Sequence, residues 1–218
     1  MPTSGVGEIN PLAPVFFLSY TRGETPQLAR PHDVDHLVLR LFNDLVDLLN
    51  PLIARRAGAE YGFIDRNLRG GHHWEPNLLY ALGCSQVFVA LTSAPYFASE
   101  YCGKEWDGFS QRAIGHLQQG ATRFDSAIVP VVWAPNLSGR EPGVARGLQR
   151  FTPGPGYHEQ AYFENGIYGL LVTGREDEYK EVTWRLARHI ANTFYSCRVE
   201  TVELEEKTLR DVFQEVVP

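Results

Sequence analysis

The chain has 218 residues, of which 44% are hydrophobic, 21% charged and 12% aromatic, with a formal net charge of -6. That is enough sequence for one substantial core, and the acidic balance argues against a nucleic-acid backbone as the main partner, because phosphate binding calls for a basic surface. Three cysteines, Cys84, Cys102 and Cys197, cannot all pair and lack metal-ligand spacing, so neither a disulfide framework nor a zinc site is expected. Residues 1–14 are rich in Gly, Pro and Ser and read as a flexible lead-in. They lack the positive region and apolar core of a signal peptide, and no apolar run approaches a membrane span. A cytoplasmic location without membrane attachment is expected.

Val15, Phe16, Phe17 and Leu18 form a short continuous apolar run ending at Ser19 and Tyr20, the pattern of a strand buried on both faces. The polar segment 21–32 contains two prolines and cannot be helical throughout. Asp33 is a suitable N-cap for an amphipathic helix marked by Leu37, Leu41, Leu45, Leu48 and Leu52, which Pro51 should kink or end. Residues 61–64 read as a second strand closed by Asp65, and residues 74–83 as a helix with Leu78, Leu79 and Leu82 on one side. Residues 87–91 make the third and strongest strand. Ser99 can cap a helix whose buried stripe runs through Cys102, Trp106, Phe109, Ala113 and Leu117. Residues 127–133 give a fourth strand in which Pro130 predicts a bulge or an early end.

Residues 136–158 are Gly/Pro-rich and mostly irregular. Residues 161–172 predict a short fifth strand or extended piece, then a helix from about Asn165. A good amphipathic helix follows over 177–195, with Tyr179, Val182, Leu186, Ile190 and Phe194 in line. The remainder, 197–218, reads as a C-terminal acidic extension that alternates at first and then becomes helical. Strands alternating with helices imply an α/β fold with a parallel sheet, whose chemistry sits beyond the carboxyl ends of the strands. Those ends carry Ser19 and Tyr20, Asp65, and Thr92 with Ser93.

No GxGxxG follows the first strand and no GxxxxGK[ST] occurs, so neither a dinucleotide fingerprint nor a P-loop is present. His72 and His73 are adjacent and belong to a polar loop, a poor pair of metal ligands. Cys102 falls in the apolar stripe of its helix and reads as packing rather than as a nucleophile. Glu105 lies at the edge of that stripe, one turn beyond Tyr101. It reads either as a first-turn carboxylate that complements the helix dipole or as a group placed for chemistry at a sugar carbon.

Five pieces in order resemble a TIR (Toll/interleukin-1 receptor) domain: FFLSY at 16–20, FID at 63–65, GxxW at 71–74 with AL at 81–82, FVALTSAPY at 88–96 and SEYCGKEW at 99–106. The likeness is strong over 15–133, weaker beyond, and frames a TIR domain over 15–196. It is nearest to bacterial TIR-like proteins, such as the actinobacterial branch with extended loops. The resemblance implies a flavodoxin-like three-layer α/β/α fold with a roughly five-stranded parallel sheet. It also implies cleavage of NAD+ to nicotinamide and ADP-ribose or a cyclic isomer, with NAD+ as substrate and no separate cofactor or metal, in bacterial defence or signalling. Glu105 falls on the family's catalytic glutamate. Tyr101 stands where the aromatic is usually Trp. The segment 65–74, with Asp65, Gly71 and Trp74, corresponds to the mobile loop beside the site, and Tyr20 and Arg22 fall near ribose and phosphates. Homotypic TIR–TIR assembly is the partner it implies, and several family members are latent until assembled.

This chemistry suits a single carboxylate. Nicotinamide leaves a pyridinium as a neutral base and needs no proton, whereas ordinary glycoside hydrolysis generally uses two carboxyl groups. A carboxylate that stabilises developing positive charge in a dry pocket, and an arginine such as Arg22 or Arg69 holding the pyrophosphate, meet the demand. Two other readings stay open: a non-catalytic module acting by homotypic assembly, and a nucleoside deoxyribosyltransferase-like enzyme with the same layout and a catalytic glutamate.

Overall fold

The computed structural model describes residues 10–22, 33–65, 76–117 and 126–214. In chain order these hold β1 (Phe16–Ser19), α1 (Val34–Leu49), β2 (Gly62–Ile64), α2 (Pro76–Cys84), β3 (Val87–Thr92), α3 (Ala94–Ala98) and α4 (Glu100–Ser110). There follow β4 (Ile114–His116), β5 (Ile128–Val132), α5 (Gly143–Arg146), α6 (Tyr157–Val172), α7 (Glu176–Ser196), β6 (Cys197–Val199) and a 3-10 turn at Glu206–Thr208. Four strands form one parallel sheet in the order β2-β1-β3-β5, with Phe17 opposite Phe63 and Phe88.

Two-residue alternation splits each strand between two cores. Phe16 and Leu18 of β1, with Val87, Val89 and Leu91 of β3, pack beneath α1, α6 and α7. Phe17, Phe88 and Ala90 pack on the other face beneath α2, α3 and α4. The result is a three-layer α/β/α arrangement of the flavodoxin kind, with the strand order turning between β1 and β3. The expected cap of α1 is present, since the Asp33 side chain accepts the Asp35 N–H at 3.2 Å, and the helix stops at Leu49, before Pro51. No helix among the described residues is long and apolar enough to cross a membrane.

Four expectations need correction. Pro130 causes neither a bulge nor an early end, because β5 lies at the sheet edge. Its carbonyl accepts the Phe151 N–H on the outer side at 2.9 Å, and its nitrogen faces the same way, so no ladder hydrogen bond is lost. That edge is then closed, since the Val132 N–H donates to the Tyr162 hydroxyl at 2.7 Å. The segment expected to supply a fifth strand is therefore helical from Tyr157 and covers β5 instead of pairing with it. The helix α4 ends at Ser110, leaving Ala113 and Leu117 exposed. Arg112 turns inward there, donating to the carbonyls of Glu200 (2.7 Å) and Leu82 (2.8 Å), and the chain continues as β4, paired antiparallel with β6. Finally, the described part of the acidic tail makes a 3-10 turn rather than a helix and lies against α2 and α4.

Gly166 kinks α6 at φ 64°, ψ 175°. This backbone region is essentially restricted to glycine, and a Cβ there would stand 2.4 Å from the Trp133 carbonyl oxygen. The kink lets the Tyr168 N–H reach that same carbonyl at 2.9 Å. Gly166→Ala is expected to lower unfolding free energy by about 2 kcal/mol or more, from backbone strain plus the clash. Gly174→Ala, also at positive φ but with open space around it, should cost distinctly less in the same denaturant titration.

Candidate functional site

Alternation turns Ser19, the last residue of β1, towards α4, whereas Leu18 and Tyr20 face the α1 side. Beyond β3 the chain enters two capped helices in succession. Ser93 Oγ accepts the Tyr96 N–H at 3.2 Å, and Ser99 Oγ accepts the Cys102 N–H at 3.3 Å, the cap expected for α4. These caps fix the pitch of α4 so that Glu105 is directed at the end of β1. Glu105 is 6% exposed. Ser19 Oγ donates to Glu105 Oε2 at 2.5 Å, and the Tyr96 hydroxyl lies 2.9 Å from Ser19 Oγ.

A hydroxyl carries one proton, so the direction of this chain follows the charge on Glu105. With Glu105 ionised, Tyr96 donates to Ser19 and Ser19 to the carboxylate. With Glu105 protonated, the carboxyl can donate to Ser19 and Ser19 to Tyr96.

The charged surroundings come from β1 and β2. Arg22 Nη2 donates to the Asp65 carbonyl at 2.8 Å and lies 3.7 Å from its carboxylate, tying the exit of β1 to the end of β2. Burial raises the Glu105 carboxyl to about 8; the Ser19 hydrogen bond opposes the rise, Asp65 adds to it and Arg22 reduces it. Burial, with Asp35 next, likewise lifts the Tyr20 phenol to about 12, so Tyr20 is a neutral hydroxyl facing the α1 side. The Cys102 thiol is 2% exposed and pushed well up by burial, which suits packing and not thiolate chemistry.

The structure thus brings Glu105, Arg22 and Asp65 into one electrostatic cluster at the carboxyl ends of β1 and β2, and places Tyr20 at its edge. Tyr101 is half-buried against the apolar cluster under α4, and the tyrosine joined to Glu105 through hydrogen bonds is Tyr96. Gly71 and Trp74 lie outside the described residues, as do His72 and His73. Among the described residues no group of three or more His, Cys, Asp or Glu side chains could hold a metal ion.

A cleft of about 730 Å³ opens over the ends of β1, β3 and β5, with Thr21, Arg22, Ser93, Ser99, Trp133 and Tyr168 in its wall. The Trp133 and Tyr168 rings stand 5.8 Å apart at 54°. Glu105 and Ser19 are not part of its lining, and Arg22 links the cleft to the buried carboxyl. Sequence reasoning missed Ser19 and Tyr96 as partners of Glu105, although two-residue alternation from Leu18 would have pointed Ser19 at α4. It also missed Trp133 and Tyr168, which meet only through the Gly166 kink and carry no local signal. Chemically, the arrangement supplies one carboxyl that burial pushes up to about 8 and an anchored guanidinium beside a largely apolar cleft.

The raised carboxyl fixes the sign of a pH effect. A group whose folded pKa of about 8 exceeds its unfolded value contributes stability that is present below about 4.5 and lost as pH rises through about 8. Glu105→Gln removes that loss. The melting temperature of the variant minus that of the wild type should therefore be more positive at pH 9 than at pH 5; an equal difference at the two pH values would contradict the buried neutral carboxyl.

Compared with protein-family models, with curated proteins and with solved structures, the chain matches none.

Proposed function

We propose that the chain is a TIR-domain NAD+ nucleosidase, cleaving the nicotinamide–ribose bond to give nicotinamide and ADP-ribose or a cyclic isomer. The observation that carries this reading is the buried Glu105 carboxyl, hydrogen-bonded to Ser19 where β1 ends, beside a cleft with Arg22 in its wall. The ordered motif resemblance supports it from the sequence side.

Glu105 is the group assigned to the chemistry. As a carboxylate in a site screened from water, it stabilises the oxocarbenium character that grows on the ribose carbon as neutral nicotinamide departs. Its raised pKa matches a cationic substrate: burial disfavours the lone carboxylate, and the positive pyridinium restores it. Arg22, held by Asp65 in the cleft wall, is placed to meet the pyrophosphate. Tyr168, half-buried in the cleft wall against the buried Trp133, offers a flat surface to a ring. Tyr20, Tyr101 and the loop with Gly71 and Trp74 keep the substrate-contact and closure roles that the resemblance assigns. Because Glu105 and Ser19 lie outside the cleft lining, substrate must draw Glu105 towards the cleft, in keeping with an enzyme activated by assembly.

That same enclosure favours a second reading, in which Glu105 is a satisfied structural carboxyl and the domain acts only by homotypic assembly. Purified chain incubated with NAD+ over a range of protein concentrations separates the two. Nicotinamide release is expected, with Glu105→Ala lowering turnover about 10²–10³-fold, the usual cost of removing a transition-state charge stabiliser. Activity unchanged in Glu105→Ala would sink the mechanism. Dimers or filaments without turnover would support the assembly module, and release of base from deoxynucleosides but not from NAD+ would identify a deoxyribosyltransferase-like enzyme.

The working form is the carboxylate, so kcat/KM should rise with pH towards a plateau with a midpoint near 8, the value for the free protein. The midpoint in kcat should lie lower, because the bound cation favours ionisation. A kcat/KM profile that falls across this range would assign Glu105 the role of an acid instead.

A further inference from the structure

The C-terminal segment lies in a channel that two glycines leave open. A Cβ on Gly83 of α2 would stand 2.3 Å from the Val202 carbonyl oxygen, and the Val202 N–H donates to the Gly83 carbonyl at 3.0 Å. A Cβ on Gly103 of α4 would stand 2.0 Å from Asp211 Oδ1. Between these points the Arg210 N–H donates to Asp107 Oδ2 at 2.9 Å and Leu209 is buried, as is Val212 just beyond them. Gly103 and Asp107 lie one turn apart on α4, on the face turned away from Glu105, so the tail holds that helix from behind the carboxyl.

The segment then delivers Phe213. Its ring centroid is 5.6 Å from Tyr96, 5.4 Å from Phe97 and 5.6 Å from Trp106. Trp106 follows Glu105 in the chain, and Tyr96 is the residue whose hydroxyl meets Ser19. From the reading that Glu105 carries the chemistry of this site, we infer that Phe213 is a positioning residue: it backs the Tyr96–Ser19–Glu105 hydrogen-bonded chain and excludes water from behind it. Phe213 touches no reacting atom and acts through Tyr96. The pieces of the site are thus locked from the far end of the sequence.

The groups facing Glu105 among the described residues are Ser19 from β1, Tyr20 and Arg22 beyond it, Asp65 from the end of β2, Tyr96 from α3 and Cys102 from its own helix. On the tail, Asp211 lies across from Lys104. Phe213→Ala changes none of these charges, so any change in Glu105 ionisation reports packing and hydration alone.

The test follows the Glu105 side-chain carboxyl by carbon-13 NMR as a function of pH in the full chain, its signal identified by absence from Glu105→Gln. Phe213→Ala is expected to lower the midpoint by one unit or more as water reaches the site, with Phe213→Leu in between. Leu45→Ala, a core truncation on the opposite face of the sheet, is expected to reduce stability and leave the midpoint where it is. A wild-type midpoint in folded Phe213→Ala or Phe213→Leu, or an equal shift in Leu45→Ala, overturns the inference. The readout needs no substrate, so it stands apart from nicotinamide release: a shifted midpoint without turnover in the wild type would retain the positioning role and reject the proposed reaction.

Discussion

A carboxyl group excluded from water is costly when ionised unless hydrogen bonds or opposite charge compensate it. Glu105 is such a group, and the surrounding structure can be understood from how it is accommodated. Among the described residues its compensation is incomplete. One hydroxyl reaches it, the nearest guanidinium is engaged with Asp65, and Asp65 itself repels the charge. The outcome is a carboxyl pushed up to about 8, which becomes an acceptor of positive charge on losing its proton. A fully paired carboxylate would be inert at neutral pH, and a fully isolated one would destabilise the fold.

Holding that balance requires three chain segments in fixed register. The end of β1 supplies Ser19, α3 supplies Tyr96, and α4 supplies Glu105. The parallel sheet fixes the first, and the serine caps Ser93 and Ser99 fix the other two. The sheet order places β1 and β3 side by side at the point where connections diverge, the place where an open α/β sheet leaves a crevice. The aromatic cluster behind Tyr96 closes the site from the rear, and the cleft with Arg22, Trp133 and Tyr168 opens from the front.

Much of this was legible in local sequence. The apolar runs around Phe17 and Val89 identify buried strands, and Asp33 and Ser99 announce helix starts by a side chain that can satisfy an orphan N–H. Glu105 at the edge of a buried stripe was visible as a candidate for the same reason. What stayed hidden depends on contacts distant in sequence. The residues from Ala161 have apolar content compatible with a strand, yet Tyr162 and Phe151 occupy the β5 edge and leave no ladder to join. Pro130 looked disruptive because an edge position cannot be read from the strand itself. The early end of α4 follows from Arg112 reaching carbonyls of Leu82 and Glu200, one of them 88 residues away. The tail reads as an acidic helix by composition and is instead extended against α4, since its few apolar residues, Leu209, Val212 and Phe213, find their burial there.

The central claim is that Glu105 is a buried neutral carboxyl that a cationic substrate converts to a carboxylate. It is tested most directly by titrating Glu105 in the wild-type chain with and without saturating NAD+. The expected result is a midpoint near 8 in the free protein and a clear fall when NAD+ is bound. A midpoint near 4.5 in the free protein, or one that NAD+ leaves unchanged, would contradict it.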